Sequence, residues 1–273
     1  SYMKYFIWLV FFMALGNLAC PKKETDEKGR KTAQAQKLSF KAKVQIRHAQ
    51  KFSVSYHRGY KEVTVHVGGQ PHRYLLVPRG LSAPPGEEGH VVEIPAQTVA
   101  VLSTTLLPHL RHLSALHRVV AVDEGRHIST ARVRQDIEAG RIQELGSGKA
   151  VNVEELIDLD PDLILTYTTG DSQYDSYNTL IRGGLDVVLV SDFMEASPLG
   201  RAEWIKFIAL FLNEEQRATE WFTTLERRYQ ALVQLARGAT TRPTVFLNAD
   251  FQGTWYMPGG SSYMAKLLSD GGA

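Results

Sequence analysis

The stretch Asn213–Gly238, NEEQRATEWFTTLERRYQALVQLARG, constrains the fold more than any other part of the sequence. Ala218, Trp221, Phe222, Leu225, Tyr229, Leu232, Val233 and Ala236 recur at three- and four-residue spacing, so they share one helical face. Asn213 can cap the start, with Gln216 three residues on completing a capping box. Gly238 can close the end, beside Arg237, whose charge suits the helix dipole. A helix of about 24 residues is about 36 Å long, which is long for one that covers a sheet within a single small lobe. Strand and helix patterns alternate before it, and a new strand pattern begins just after it. The expected role is a rigid strut between two α/β lobes. The plainer alternative is a long helix packed on one lobe.

A chain of 273 residues supplies one large or two modest domains. The net charge of +2 gives no general case for a nucleic acid partner. The one cysteine, Cys20, excludes an intrachain disulfide and a Cys-cluster metal site. Ser1 and Tyr2 precede Met3, the expected start. Met3-Lys4 is followed by an apolar run from Tyr5 to Ala19. That run is shorter than the roughly 20 residues of a membrane span, so residues 1–19 read as a secretory signal. It stops at Leu18-Ala19-Cys20, which resembles the bacterial lipobox, in which the cysteine becomes the lipidated first residue. Asn17 departs from the aliphatic residue usual there, and the alternative is a signal cut elsewhere with Cys20 incidental. Residues 20–37 are charged and poor in bulky apolar side chains, the composition of a flexible tether. The expected location is extracytoplasmic, lipid-anchored to the bacterial cell membrane and facing the periplasm.

Residues 38–94 read as an N-terminal β-ribbon extension. Phe52–Tyr56 and Glu62–Val67 alternate, Gly68-Gly69 turns, and Arg73–Val77 follows as an antiparallel partner. Leu81–Gly89 is a Pro- and Gly-rich loop, and Val91–Ile94 a short strand. Residues 95–212 read as an α/β lobe. Expected strands are Thr98–Leu102, Val119–Val122, Leu163–Tyr167 and Val187–Val190. Expected helices run from Thr105 through Leu116, over Thr130–Gly140, Val153–Leu159 and Tyr174–Arg182, and over Leu199–Leu212 behind a Ser197 cap. Strands spaced by helices predict a parallel sheet covered on both faces. After the 213–238 strut, residues 239–273 hold one strand pattern, Thr244–Leu247, a loop over Asn248–Gly260 and one helix, Tyr263–Leu268. One strand cannot make a parallel sheet, so the fold class is α/β with two Rossmann-like lobes joined by one long backbone helix, the second lobe incomplete. Either the sequence is truncated or these last residues pack back on the first lobe.

Several segments taken in order carry a resemblance. Val151–Thr166, VNVEELIDLDPDLILT, resembles the helix, Pro-Asp, strand unit of periplasmic substrate-binding proteins that serve ABC importers of iron–siderophores, cobalamin and haem. Arg126–Gly146 resembles the segment just before it, and Leu199–Leu235 the helices before and within the strut. Gly253-Thr-Trp-Tyr-Met-Pro-Gly-Gly and Ser262-Tyr-Met-Ala-Lys-Leu-Leu resemble the start of the C-terminal lobe. The resemblance covers about Pro95 to Ala273. It implies two α/β lobes on a stiff helix, a ligand in the cleft between them, and a C-terminal lobe mostly absent from this sequence.

Ligands of open α/β sheets bind outside the carboxyl ends of strands. That rule selects Ser103, Thr104 and Thr105, where a helix start can hold an anionic group. It also selects Glu124, Arg126 and His127, and then Tyr167, Thr168, Thr169 and Asp171. In the second lobe the candidates are Asp250, Phe251, Trp255 and Tyr256, whose flat aromatic faces suit a macrocycle or catecholate chelate. Arg126 can pair with a carboxylate or an anionic chelate. His109 and His112 share a helix face near His117 and, with His127, could suggest a bare-metal site, but surface histidines are the expectation and no metal site is assigned. Asp160 and Asp162 flank Pro161 and read as turn formers. No Gly-x-Ser-x-Gly elbow, phosphate loop or His-Glu-x-x-His is present, so an enzyme is not expected. The resemblance implies acidic residues that dock to arginines of the permease. Asp171 and Asp175 are the nearby candidates, although Tyr174 takes the aligned place.

The sequence reading is therefore a lipid-anchored binding protein that captures a ferric siderophore, haem or cobalamin for an ABC permease and ATPase, with no resident cofactor. The alternative is an extracytoplasmic lipoprotein of the same fold that binds a protein partner or scaffolds a complex.

Overall fold

The computed structural model describes residues 39–169 and 175–273, except for the side chain of Lys149. The expected signal segment, the 20–37 tether with Cys20, Asp171 and the expected helix start at Tyr174 lie outside the described residues.

Period-two alternation builds the first sheet. Strands β1 (Phe52–Tyr56), β2 (Lys61–Val67) and β3 (Gln70–Pro78) pair antiparallel, and Val63, Val65 and Val67 of β2 all point into the core. The β2–β3 turn needs positive φ at both central residues, which Gly68 (58°) and Gly69 (79°) supply. β4 (His90–Ile94) pairs parallel to β3, so the expected antiparallel ribbon is completed as a mixed four-stranded sheet.

The second sheet is all parallel. It comprises β5 (Val99–Val101), β6 (Val119–Val122), β7 (Gln143–Glu144), β8 (Leu163–Thr166) and β9 (Val188–Leu189), in the order β7-β6-β5-β8-β9. The helices are α1 (Leu107–His112), α2 (Ala131–Glu138), α3 (Val153–Leu159), α4 (Tyr177–Arg182), α5 (Pro198–Leu212), α6 (Glu215–Arg237) and α7 (Tyr263–Asp270). Both sheet faces are covered, as continuous apolar strands require. Val99 and Val101 face a core built with α1, α5 and the first sheet, while Ala100 faces a smaller core with Leu156 of α3 and Leu180 of α4. The Tyr74 hydroxyl accepts the Leu189 amide at 2.9 Å and so ties the two sheets together.

Three expectations change. The helix expected through Leu116 breaks into a 3₁₀ turn at 104–106, α1 and a second 3₁₀ turn at 116–118. Ser114 takes φ 57° between them, which lets Leu113 and Ala115 both turn inward. Asn213 does not open the long helix. It is the left-handed residue that closes α5, and its side-chain oxygen accepts from Lys61 Nζ at 2.8 Å. Gln216 donates to Glu220 one turn on rather than back to a cap. The strand expected at Thr244–Leu247 does not form, because no described strand lies beside it to pair its amides. A short hairpin, β10 (Asp250–Phe251) with β11 (Thr254–Trp255), follows instead.

The deepest element is α5, not the long helix. Glu203 through Leu212 are all buried, and the rings of Phe52, Trp204, Phe207 and Phe211 pack at 4.8–5.3 Å between centroids. α6, at 23 residues, divides in two. Ala218 and Phe222 are buried on the lobe and Trp221 lies against the His112 ring at 4.6 Å, whereas Leu232 and Leu235 are 64% and 75% exposed. α7 packs back on α6 and α5: Tyr229 donates to Asp270 at 2.7 Å, and the Arg201 guanidinium lies 3.8 Å over the Tyr263 ring.

Candidate functional site

The strand order reverses at β5, between β6 on one side and β8 on the other, and a crevice opens at such a switch point outside the carboxyl ends of the strands. There the structure holds a cavity of about 320 Å³. The turn after β5 gives it Ser103, Thr104, Thr105 and Leu106, and the first residue after β6 gives it Asp123. The segment after β8 gives Tyr167 and Thr169, and the segment after β9 gives Val190, Asp192 and Phe193. Ser103 and Thr105 share a hydroxyl hydrogen bond of 2.9 Å. The Tyr167 and Phe193 rings meet edge to face at 6.2 Å.

Among the described residues the cavity wall carries acids and no basic side chain. Burial pushes the Asp123 carboxyl up, partly offset by the Glu124 backbone N–H. Burial likewise pushes Asp192 up, offset in part by the Phe193 N–H and the more distant Arg201 charge. Among the described residues neither forms an ion pair, and Asp123 Oδ1 is buried without a hydrogen bond. Ser191 Oγ, one residue before Asp192, is buried without a partner in the same way. The Tyr167 phenol is pushed up by burial first, then by Asp123 and Asp175, and stays neutral.

Of the expected site residues, Ser103, Thr104 and Tyr167 converge on this cavity, and Thr168 lies in the same β8 segment. The helix start expected to hold an anion opens as a 3₁₀ turn that runs into α1, and it shares its cavity with the Asp123 and Asp192 carboxyls, which disfavour an anion there. Arg126 and His127 stand outside the cavity wall. Arg126 Nε pairs with Glu124 at 2.6 Å and His127 lies 3.4 Å from the same carboxylate, so Arg126's charge is already engaged. Phe251, Trp255 and Tyr256 sit on and beside the β10–β11 hairpin, exposed and outside the cavity wall. Trp255 stacks on Phe246 at 4.2 Å and donates to the Leu247 carbonyl. Asp175 is 1% exposed, which removes it from any docking surface; its carboxylate accepts from Thr168 Oγ1 and the Thr169 amide at 3.0 Å.

Asp160 and Asp162 act as the turn formers expected: Asp160 ends α3 at φ 42°, and Asp162 accepts the Gln97 amide at 2.6 Å. His109 and His112 are half-buried rather than surface residues. Burial lowers the His109 pKa to about 4, and His112 is lowered too, again first by burial. No group of three His, Cys, Asp or Glu side chains converges on a metal position among the described residues. Sequence reasoning missed Asp123, Asp192 and Phe193. Applying the carboxyl-end rule to the last strand, Val187–Val190, would have found the latter two.

A larger cavity, about 840 Å³, lies elsewhere. It is an open, mostly apolar groove along α6 and α7, lined by residues such as Leu232, Leu235 and Leu267, and its Tyr229 and Asp270 side chains are bonded to each other. No helix among the described residues is long and apolar enough to cross a membrane.

Residues 99–273 match the family model described as periplasmic binding protein. An uncharacterised lipoprotein of Methanocaldococcus jannaschii is 25% identical over 241 residues, which cover 82% of this chain and 59% of that one. The chain therefore spans about three fifths of that relative's length. A possible iron-binding, periplasmic solute-binding protein of Staphylococcus epidermidis superposes with a TM-score of 0.52 at 18% identity, over 66% of each chain. An ABC transporter substrate-binding protein of Listeria monocytogenes superposes with a TM-score of 0.52 at 15% identity, over 65% of this chain and 63% of that one. These two likenesses bear on the fold alone. With the switch-point cavity, the long helix and the match over 99–273, the chain belongs to the periplasmic binding protein family.

Proposed function

We propose that this protein captures a metal chelate, a ferric siderophore, haem or cobalamin, and delivers it to an ABC permease and its ATPase, acting as a carrier rather than an enzyme. The observation that carries the reading is the cavity at the β5/β8 switch point, where loops from four parallel strands bring hydroxyls, carboxyls and two aromatic rings together. Its volume suits one end of a chelate, and the remainder of the ligand would extend toward a second wall beyond α6. Phe251, Trp255 and Tyr256 are proposed for that wall, with Arg126 and His127 at the rim. The S. epidermidis protein, described as possibly iron-binding, supports this ligand class. The protein is proposed to work outside the cytoplasm, held to the membrane through a lipid on Cys20, as the lipoprotein relative suggests. Asp171 remains the proposed first-lobe contact for the permease.

Isothermal titration of the full gene product with a ferric siderophore, haemin and cobalamin tests the reading. Binding of one of the three, weakened at least tenfold by Phe193→Ala, supports it. Absence of binding to all three rejects chelate capture.

A further inference from the structure

The switch-point cavity is acidic and aromatic, and among the described residues no cation forms an ion pair with its carboxyls. Arg126, the nearest cation by sequence to Asp123, is paired with Glu124. Arg201 donates to the Glu195 and Phe193 carbonyls and stacks on Tyr263, and it makes no ion pair with Asp192. Two half-buried carboxyls without an ion-pair partner are costly to keep, because desolvation penalises their charged forms. An anionic ligand group there would add like-charge repulsion. Among the described residues no third His, Cys, Asp or Glu joins the two carboxyls to hold a bare metal ion. Tyr167 and Phe193 line the same small volume as Asp123 and Asp192. Aromatic faces attract cations through the ring quadrupole. A cavity of about 320 Å³ has room for a headgroup and its stem but not for a whole macrocycle.

We propose that this cavity receives a cationic group of the bound ligand, an organic ammonium or guanidinium, between the Asp123 and Asp192 carboxylates and against the rings of Tyr167 and Phe193. The inference rests on the chelate-capture reading of the same site, and it divides that ligand class. A chelate with a protonated amine fits the first-lobe wall; one that presents carboxylates or catecholates to it does not.

The test uses a matched pair of probes and the full gene product. One probe is a ferric trihydroxamate with a free terminal ammonium; the other is the same chelate with that amine acetylated. Acetylation removes one charge and little else, and it is expected to weaken binding about tenfold or more. The double variant Asp123→Asn, Asp192→Asn is expected to bind the ammonium form as weakly as the acetylated one, with the acetylated form unchanged. Asp192→Asn alone, checked by its melting curve, serves where the double variant does not fold, and it is expected to remove most of the same preference. Equal binding of the two probes by the wild-type protein, or tighter binding of an anionic ferric tris-catecholate, overturns the cation site and leaves chelate capture standing. Binding of none of these chelates overturns the cation site, and chelate capture falls with it only if haemin and cobalamin also fail to bind.

Discussion

Glu203 shows how single residues hold this molecule together. It is 0% exposed, on the most apolar helix of the protein, yet it is held in its charged form. Its carboxylate accepts from the amides of Arg47 (3.0 Å), His48 (2.6 Å) and Ala49 (2.9 Å) and from Lys206 Nζ (2.6 Å). Glu195 continues the row by accepting the Gln50 and Lys51 amides at 2.9 Å and the Trp204 indole at 3.1 Å. A chain segment that belongs to no sheet thus has its amides satisfied by carboxylates. Burial pushes Glu203 up, but Lys206 and the backbone donors outweigh it, and its pKa falls below the ordinary value. A lowered carboxylate pKa stabilises the fold above the unfolded value of about 4.3, and that stability is lost as pH falls through the folded value. Glu203→Ala is expected to cost about 3–5 kcal/mol, because it strands Lys206 and three amides, and urea unfolding at pH 7 measures it. His109 acts in a different window. Its folded pKa of about 4 lies below the unfolded 6.5, so its contribution is complete above 6.5 and lost between 6.5 and 4. His109→Gln should flatten the drop in urea stability between pH 7 and pH 5, which amounts to no more than about 3 kcal/mol.

At the scale of elements, the root of the long helix is clamped from two sides. Lys61 of β2 is wholly buried and bonds the Leu210 carbonyl and Asn213 at 2.8 Å, and it pairs with Glu215 in the first turn of α6. Arg118 bonds the Ala96 carbonyl at 2.8 Å and reaches Leu212 from the other side. Lys61→Met should destabilise strongly by leaving Glu215 buried and alone, while Lys61→Met with Glu215→Gln should recover most of the loss. A double-mutant cycle in urea reads that difference. The two halves of α6 should respond differently. Phe222→Ala is expected to cost about 3–5 kcal/mol, and Leu235→Gln less than about 0.5 kcal/mol.

Elements were legible in the sequence wherever one periodicity ran unbroken, as in the alternation of β2, the apolar run of β8 and the Asn152-capped helix α3. Asn213 was misread because a residue suited to an N-cap also tolerates the left-handed end of the preceding helix. α5 hid its centrality because Glu203 and Lys206 interrupt its apolar pattern, and both are buried through a segment more than 150 residues away. The acidic half of the candidate site was missed for a related reason: Asp123 and Asp192 are ordinary loop residues until the sheet order brings their strands' ends together.

For the whole molecule, the first sheet, the parallel sheet and α5 share one core, so the N-terminal strands brace the lobe that carries the cavity. The segment 45–51, where the chain leaves its N-terminal tract, is strapped to α5 and α6 through Glu203 and Glu226; Arg47 and His48 bond Glu226 at 2.5 and 2.6 Å. The lobe and the root of the long helix thus form one stiff unit, and the cavity stands at its open end. The direct measurement is amide hydrogen exchange of the full gene product with and without a saturating ferric chelate. If the switch-point cavity is the ligand site, protection will rise at 103–106, 123–127, 167–169 and 190–193. Protection confined to the α6–α7 groove at 229–239 and 267–271, with no change at those four loops, would contradict it.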